Sequence, residues 1–387
     1  MRRAQLAPVA AVPTRPRLSV DLDAVAVNTR LFGRRTTGEV MAVVKADGFG
    51  HGAAEVARTA LMNGASRLGV TSLDEAFALR DAGLVAPVLS WLNPVDADWA
   101  TAVARDVEVA VPDREHLDAV IAHGRGAQVH LHLDTGMARD GAAPGAWAGL
   151  CRAARRAEQR GELTVVGLMG HLGCADVPED PSNTTGRTRF AWGLQVARGA
   201  GLRPTQRHLA ATSATLLDPL AHHTMSRIGA GLVGIDPSRT TDLRPALTLT
   251  APVVGVRSVR AGTAVGYGHT WQAPRATRLA LLPVGYADGL PVSASDGGRS
   301  RAEVLVSGRR VPVVGRISMD MTVVDLGDTP AELGDLACVF GPGRAGEPTV
   351  RDWADAAGVQ EHEIVTGLGA RLERVHAPAA TGLRRLS

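Results

Sequence analysis

The chain has 387 residues, 45% of them hydrophobic and 21% charged, with a formal net charge of +3. That is enough apolar material for two domains, and the charge is too small and too evenly spread to suggest a nucleic-acid surface. Three cysteines, Cys151, Cys174 and Cys338, are too scattered, and odd in number, for a disulfide framework or a zinc site.

No apolar run reaches the ~20 residues of a membrane span. The opening MRRAQLAPVAAVPTRP is broken by Pro8 and Pro13, which argues for a frayed extension over residues 1–17 rather than a signal peptide. A cytoplasmic location is expected. Residues 18–21 (LSVD) read as a short strand, with Asp23 as the cap of a helix over 24–32. From residue 39 strands and helices alternate. The strand-like runs are 40–44, 67–70, 87–91, 107–111, 129–133, 164–169, 207–210 and 224–227. Helical patterns such as AAEVARTALMNGA and GAWAGLCRAARRAEQR lie between them. Eight strands with eight intervening segments indicate an α/β unit of the (β/α)8 kind over residues 18–240. After about 240 the pattern changes to β runs separated by glycine turns, with Ser307-Gly308 as a hairpin turn. One helix over 350–357 and a last strand near 374–376 complete a mostly β domain over 241–387.

The run EVMAVVKADGFGHG (39–52) stands out. A Val/Met/Ala strand ends in Lys45, and a Gly-rich loop follows. Burial disfavours the charged form of a lysine, and a neutral lysine amine is a nucleophile able to condense with an aldehyde. A lysine snorkelling from a strand end would look the same in isolation. The strand ends of an α/β barrel gather function. They would bring together Lys45, Arg139 in DTGMARDG, His171, Ser213, and Arg227 with Gly229 and Ala230 in SRIGAG. A cation, an imidazole, a hydroxyl and a Gly-rich turn suit an anionic aromatic cofactor. Ser213 also fits as a helix cap, His171 as a core histidine, and Arg227 as a salt-bridged strand end.

AVVKADGFGHGA closely resembles the pyridoxal-phosphate lysine motif of alanine racemases. AVGYGHTWQAP, LLPVGYADGL, GRISMD and SRIGAGLVG resemble other segments of that family, and the likeness runs from about residue 18 to 376. The resemblance implies a closed TIM-type barrel, pyridoxal 5'-phosphate on Lys45, and a homodimer with shared active sites. It implies Lys45 and Tyr267 as the two bases on opposite faces of Cα, with Tyr267 entering from the partner subunit. Arg227 would face the cofactor's ring nitrogen, His171 its ring, and Ser213, Gly229 and Ala230 its phosphate. Arg139, Met319, Asp320 and Tyr286 would serve the substrate. The expected activity is interconversion of L- and D-alanine, for D-alanine biosynthesis. The chain departs from the family at Phe49 and His362, where tyrosines near the phosphate are usual. It departs also at His132, where a lysine is common, and at Thr212, where asparagine is usual. These departures keep open a relative acting on another small amino acid such as serine, or a cofactor-binding homologue without turnover.

Overall fold

The structure, a computed structural model, describes residues 15–295 and 302–377. The expected extension lies outside the described residues up to residue 14. The described residues form two compact units, one of residues 22–244 and one that joins residues 15–21 to those from 245 to 377. The first strand, β1 (Arg17–Asp21), was expected to open the barrel unit, but it pairs in the sheet of the second unit.

The first unit holds eight parallel strands: β2 (Glu39–Val43), β3 (Arg67–Val70), β4 (Val88–Ser90), β5 (Val107–Val111), β6 (Ala127–His132), β7 (Leu163–Met169), β8 (Gln206–His208) and β9 (Met225–Ile228). Their order is β8-β7-β6-β5-β4-β3-β2-β9, so each strand lies beside its neighbour in sequence, except that β9 returns to pair with β2. The seam between β8 and β9 is spanned by Thr224 N–H to the Arg207 carbonyl (3.1 Å) and Arg227 N–H to that of Ala210 (3.0 Å). An α/β barrel results. Most of its strands are Val- and Ala-rich and largely buried on both faces, as parallel strands under a layer of helices must be.

Local chemistry starts the helices where the sequence says. Ser72, Asp98, Asp113 and Asp180 each accept a hydrogen bond from a first-turn amide. Pro144 and Pro181 open their helices, where the missing N–H costs nothing. The helix expected over 24–32 runs Leu22–Arg35, so Asp23 lies in its first turn and pairs with Arg244 at 3.4 Å rather than capping it. No helix among the described residues is long and apolar enough to cross a membrane.

The second unit is mostly β. Its strands are β10 (Leu247–Pro252), β11 (Gly255–Val259), β12 (Ala264–Val265), β13 (Trp271–Gln272), β14 (Thr277–Leu282), β15 (Glu303–Val306), β16 (Arg309–Pro312), β17 (Thr322–Asp325), β18 (Leu336–Phe340) and β19 (Glu373–Ala377). A six-stranded sheet runs β16-β15-β18-β10-β1-β19, beside a three-stranded sheet β11-β14-β17 and the ribbon β12-β13. Ser307 and Gly308 join β15 to β16 with φ of 47° and 76°, the positive pair that a tight hairpin turn requires. The helix Val350–Ala357 forms as expected, with a Thr349/Asp352 capping box and left-handed Gly358 after it. A second helix, Glu361–Gly367, was not expected; seven residues are too few for periodicity to announce it.

Candidate active site

The C-terminal mouth of the barrel gathers the residues singled out there. Lys45 follows β2. Burial and then the nearby Arg139 lower its pKa, with a further push from Arg227, while Glu75 opposes them. The next four residues, Ala46, Asp47, Gly48 and Phe49, all have left-handed backbone, with φ between 51° and 64°. Three of them are not glycine, and such conformations cost ~1–2 kcal/mol each. The turn is held by hydrogen bonds at both ends. Ala46 N–H donates to Glu75 Oε1 at 2.7 Å, and Asp47 accepts from Gly52 N–H through its carbonyl (2.8 Å) and from Ala53 N–H through Oδ1 (2.9 Å). It reverses the chain immediately beyond the lysine.

Glu75 was not anticipated as part of the site. Besides Ala46 it accepts from Thr71 N–H and Oγ1 at 2.8 and 2.7 Å and completes the Ser72 capping box. Burial pushes its carboxyl up, but the Thr71 hydroxyl and the backbone amides outweigh this and hold it ionised. The capping motif TSLDE was the visible signal; what it could not show was the nearness of Lys45.

Arg227 is buried and anchored on several acceptors. Nη1 donates to His208 Nδ1 and to the His208 carbonyl, both at 2.9 Å; Nη2 donates to the Gly170 carbonyl at 2.8 Å and to His171 Nδ1 at 3.1 Å. Burial, and then Arg139, lower it to about 10. His171 is pushed down to about 3 by burial and by Arg227, so it is neutral at physiological pH. An arginine can only donate, so Nδ1 of each histidine accepts and each ring carries its proton on Nε2.

Arg139 is exposed on the loop after β6. Asp134 Oδ1 holds that loop by accepting from the amides of Gly136, Met137 and Ala138 at 2.8, 3.1 and 3.2 Å. His132 is buried at the end of β6, its Nδ1 3.2 Å from Asp140 Oδ2 but out of line for a hydrogen bond. Ser213 and Thr212 are buried in the short helix Thr212–Leu217, and Thr212 Oγ1 accepts from Gly231 N–H at 3.2 Å. The Phe49 ring lies against Gly229, where a Cβ would meet it at 2.7 Å, so only glycine fits there.

The second unit holds the other group. Tyr267 is 71% exposed and starts a short turn bracketed by Gly266 and Gly268, with φ of 73° and 71°. It borders a cavity of about 820 Å³ that Val256, Val265, Leu279, Met321 and Val323 also line. The VGYADG and RISMD segments are stitched together. Tyr286 N–H donates to the Ser318 carbonyl and Ala287 N–H to that of Met319, both at 3.0 Å. A Cβ at Gly285 would stand 2.2 Å from the Ser318 oxygen, so only glycine fits there. Met319 is exposed, and Asp320 is paired with Arg371 at 2.8 Å, a partner not foreseen from the sequence. Arg371 also reaches Asp288 at 3.3 Å. His362 lies in the helix Glu361–Gly367, its carbonyl accepting from Thr366 Oγ1 at 2.7 Å.

Comparison with known proteins agrees with this picture. Residues 20–237 match the family model "Alanine racemase, N-terminal domain", and residues 246–376 match "Alanine racemase, C-terminal domain". The alanine racemase of Thermobifida fusca is 43% identical over 368 residues, covering 93% of this chain and 97% of the relative. That of Mycobacterium tuberculosis H37Rv is 46% identical over 371 residues, with 93% and 95% covered. The crystal structure of alanine racemase from Streptomyces lavendulae superimposes with a TM-score of 0.91 at 41% identity, over 95% of this chain and 98% of that one. The chain belongs to the alanine racemase family, and its activity is that of an isomerase acting on alanine.

Proposed function

We propose that the chain interconverts L- and D-alanine with pyridoxal 5'-phosphate held at the barrel mouth. Lys45 Nζ would handle the Cα proton on one face, and Tyr267 Oη on the other. The observation that carries this reading is Lys45 itself: the only lysine of the chain, at the end of a buried strand, its pKa lowered by burial and Arg139.

The residues present suit the cofactor. Lys45 offers the amine for its aldehyde. Ser213 and the backbone at Gly229 and Ala230 would offer donors for its phosphate, with His362 as a further donor in place of the usual tyrosine. Phe49 offers only its ring. His171, neutral, offers a flat face. When bound, pyridoxal phosphate draws electrons from an amino acid joined to it and so acidifies Cα. Arg227 keeps its proton, so a ring nitrogen beside it stays unprotonated, which favours return of the proton to Cα. Arg139 and the Met319–Asp320 segment would orient the substrate carboxylate, with Tyr286 beside them. Two copies would complete each site, the Tyr267 of one chain serving the Lys45 of the other. A base on each face is what inversion at Cα requires.

The test is chemical. Purified protein should show the visible chromophore of lysine-bound pyridoxal phosphate, and borohydride should fix the cofactor to the single peptide containing Lys45. A label found nowhere on the chain would refute the reading. Incubation with each enantiomer of alanine and of serine should give fast inversion of alanine; faster inversion of serine would favour the other small-amino-acid reading that Phe49, His132, Thr212 and His362 raise.

A further inference from the structure

A line of buried polar side chains leads away from Arg227 through the barrel interior. His208 Nε2 lies 2.8 Å from His130 Nδ1, and His130 Nε2 lies 2.9 Å from Glu108 Oε2. Glu108 accepts from Arg67 Nη1 through both oxygens, at 2.7 and 3.0 Å. Arg67 is the first residue of β3, Glu108 the second of β5, His130 the fourth of β6, and His208 and Arg227 belong to β8 and β9. The line joins the neighbours β5 and β6 but skips β4 and β7, so at those two steps it reaches from one strand to the next but one.

The barrel is built to admit it. The β6–β7 register shifts between Val129 and His130. Opposite His130, β7 carries Gly167, where a Cβ would stand 1.9 Å from His130 Nδ1. A glycine and a bulge meet where the imidazole needs room.

Every bond in the line has one allowed direction. Arg227 can only donate, so His208 Nδ1 accepts and its proton sits on Nε2. That proton must go to His130 Nδ1, which puts the His130 proton on Nε2. A charged His130 would have two N–H groups and leave His208 none to give, so both rings are neutral. The line then needs, at its far end, a group that accepts from His130 and from Arg67 together. A carboxylate meets both donors with two accepting oxygens; an amide brings one oxygen, and its N–H2 must then face Arg67 or His130.

We propose that Glu108 is a positioning residue for Arg227: as the acceptor at the end of the line it fixes the tautomers of His130 and His208, and with them the seat of the guanidinium. Its consequence for catalysis rests on the reading of Arg227 as the partner of the cofactor's ring nitrogen; its geometry does not. Glu108→Gln reverses the logic. The amide oxygen takes the Oε1 position, where the Arg67 contact is the shorter (2.7 against 3.0 Å), and the amide N–H then faces His130 Nε2. Both histidines then shift their protons to Nδ1, and His208 turns an N–H toward Arg227.

Nitrogen-15 NMR of histidine-labelled protein distinguishes the protonated ring nitrogen from the bare one. In the unaltered chain both His130 and His208 should carry the proton on Nε2. Glu108→Gln should move both to Nδ1 and lower kcat about tenfold or more, with KM for alanine within about twofold, while Glu108→Asp keeps the original tautomers and most of the rate. A proton on Nδ1, or a charged ring, in the unaltered chain would overturn the proposal, and that spectrum decides the matter if the glutamine variant does not fold. Unmoved tautomers in Glu108→Gln would overturn it too, leaving Arg227 alone as the determinant. The tautomers can be read without cofactor, so a protein unable to hold pyridoxal phosphate would refute the proposed function and leave this result standing.

Discussion

At the scale of single residues, two substitutions are informative. Phe49 is buried with its ring against Gly229, and it lacks the hydroxyl that a tyrosine would bring to the proposed phosphate side of the mouth. A hydrogen bond to a charged group contributes ~1.5–3 kcal/mol. Phe49→Tyr should therefore tighten pyridoxal phosphate binding by roughly tenfold or more, read from cofactor titration; an unchanged dissociation constant would show that the pocket has compensated. His171 sets a pH dependence. Its free value is 6.5 and its folded value about 3, owing to burial and Arg227. Between those values the unfolded chain binds a proton that the folded chain does not, so stability falls as pH drops below 6.5. His208 acts in the same direction. Denaturant midpoints of the cofactor-free protein should fall between pH 7.5 and 5, and His171→Gln should reduce that fall; an equal fall in both proteins would exclude His171 as a cause. The sequence made Lys45, Arg227 and His171 legible, because each ends an apolar strand. It did not make Glu75, Glu108, His130 or His208 legible as partners. Their roles depend on which side chains meet across the barrel, and strand spacing carries no record of that.

At the scale of elements, most of the barrel strands were readable because they are short apolar runs bounded by turn residues, and the hairpin turn at Ser307-Gly308 announced itself. β1 was not readable in the same way. The five residues RLSVD show a strand but not its sheet, since partners are chosen by contacts hundreds of residues away. Gly167 offers a direct test of an element built around its contents. Gly167→Ala would place a methyl group on the His130 ring and force β7 or the imidazole to move. A loss of ~1–3 kcal/mol in stability is expected, measured by chemical denaturation. A variant as stable as the parent would mean that the β6–β7 bulge has slack the structure does not show.

At the scale of the whole molecule, the proposed sharing of Lys45 and Tyr267 between two chains predicts complementation. Lys45→Ala and Tyr267→Phe homodimers should each racemise poorly. After subunit exchange, followed with a tag on one variant, half the dimers are mixed and each has one intact site, so roughly a quarter of the parental activity should return. Verified exchange with no recovery would place both bases of a site on one chain. The six-stranded sheet has a different consequence, one of timing. β1 lies between β10 and β19, and Arg17 is 356 residues from its partner Glu373. At a synthesis rate of ~5–20 residues per second, β1 waits on the order of tens of seconds for β10 and longer for β19. The barrel strands are complete before either arrives. Through that interval Leu18 and Val20, which end fully buried, belong to an apolar strand without its sheet. β1 is thus made before every barrel strand yet is among the last to fold, and a growing chain carries it as bait for aggregation or for a chaperone until β19 is made.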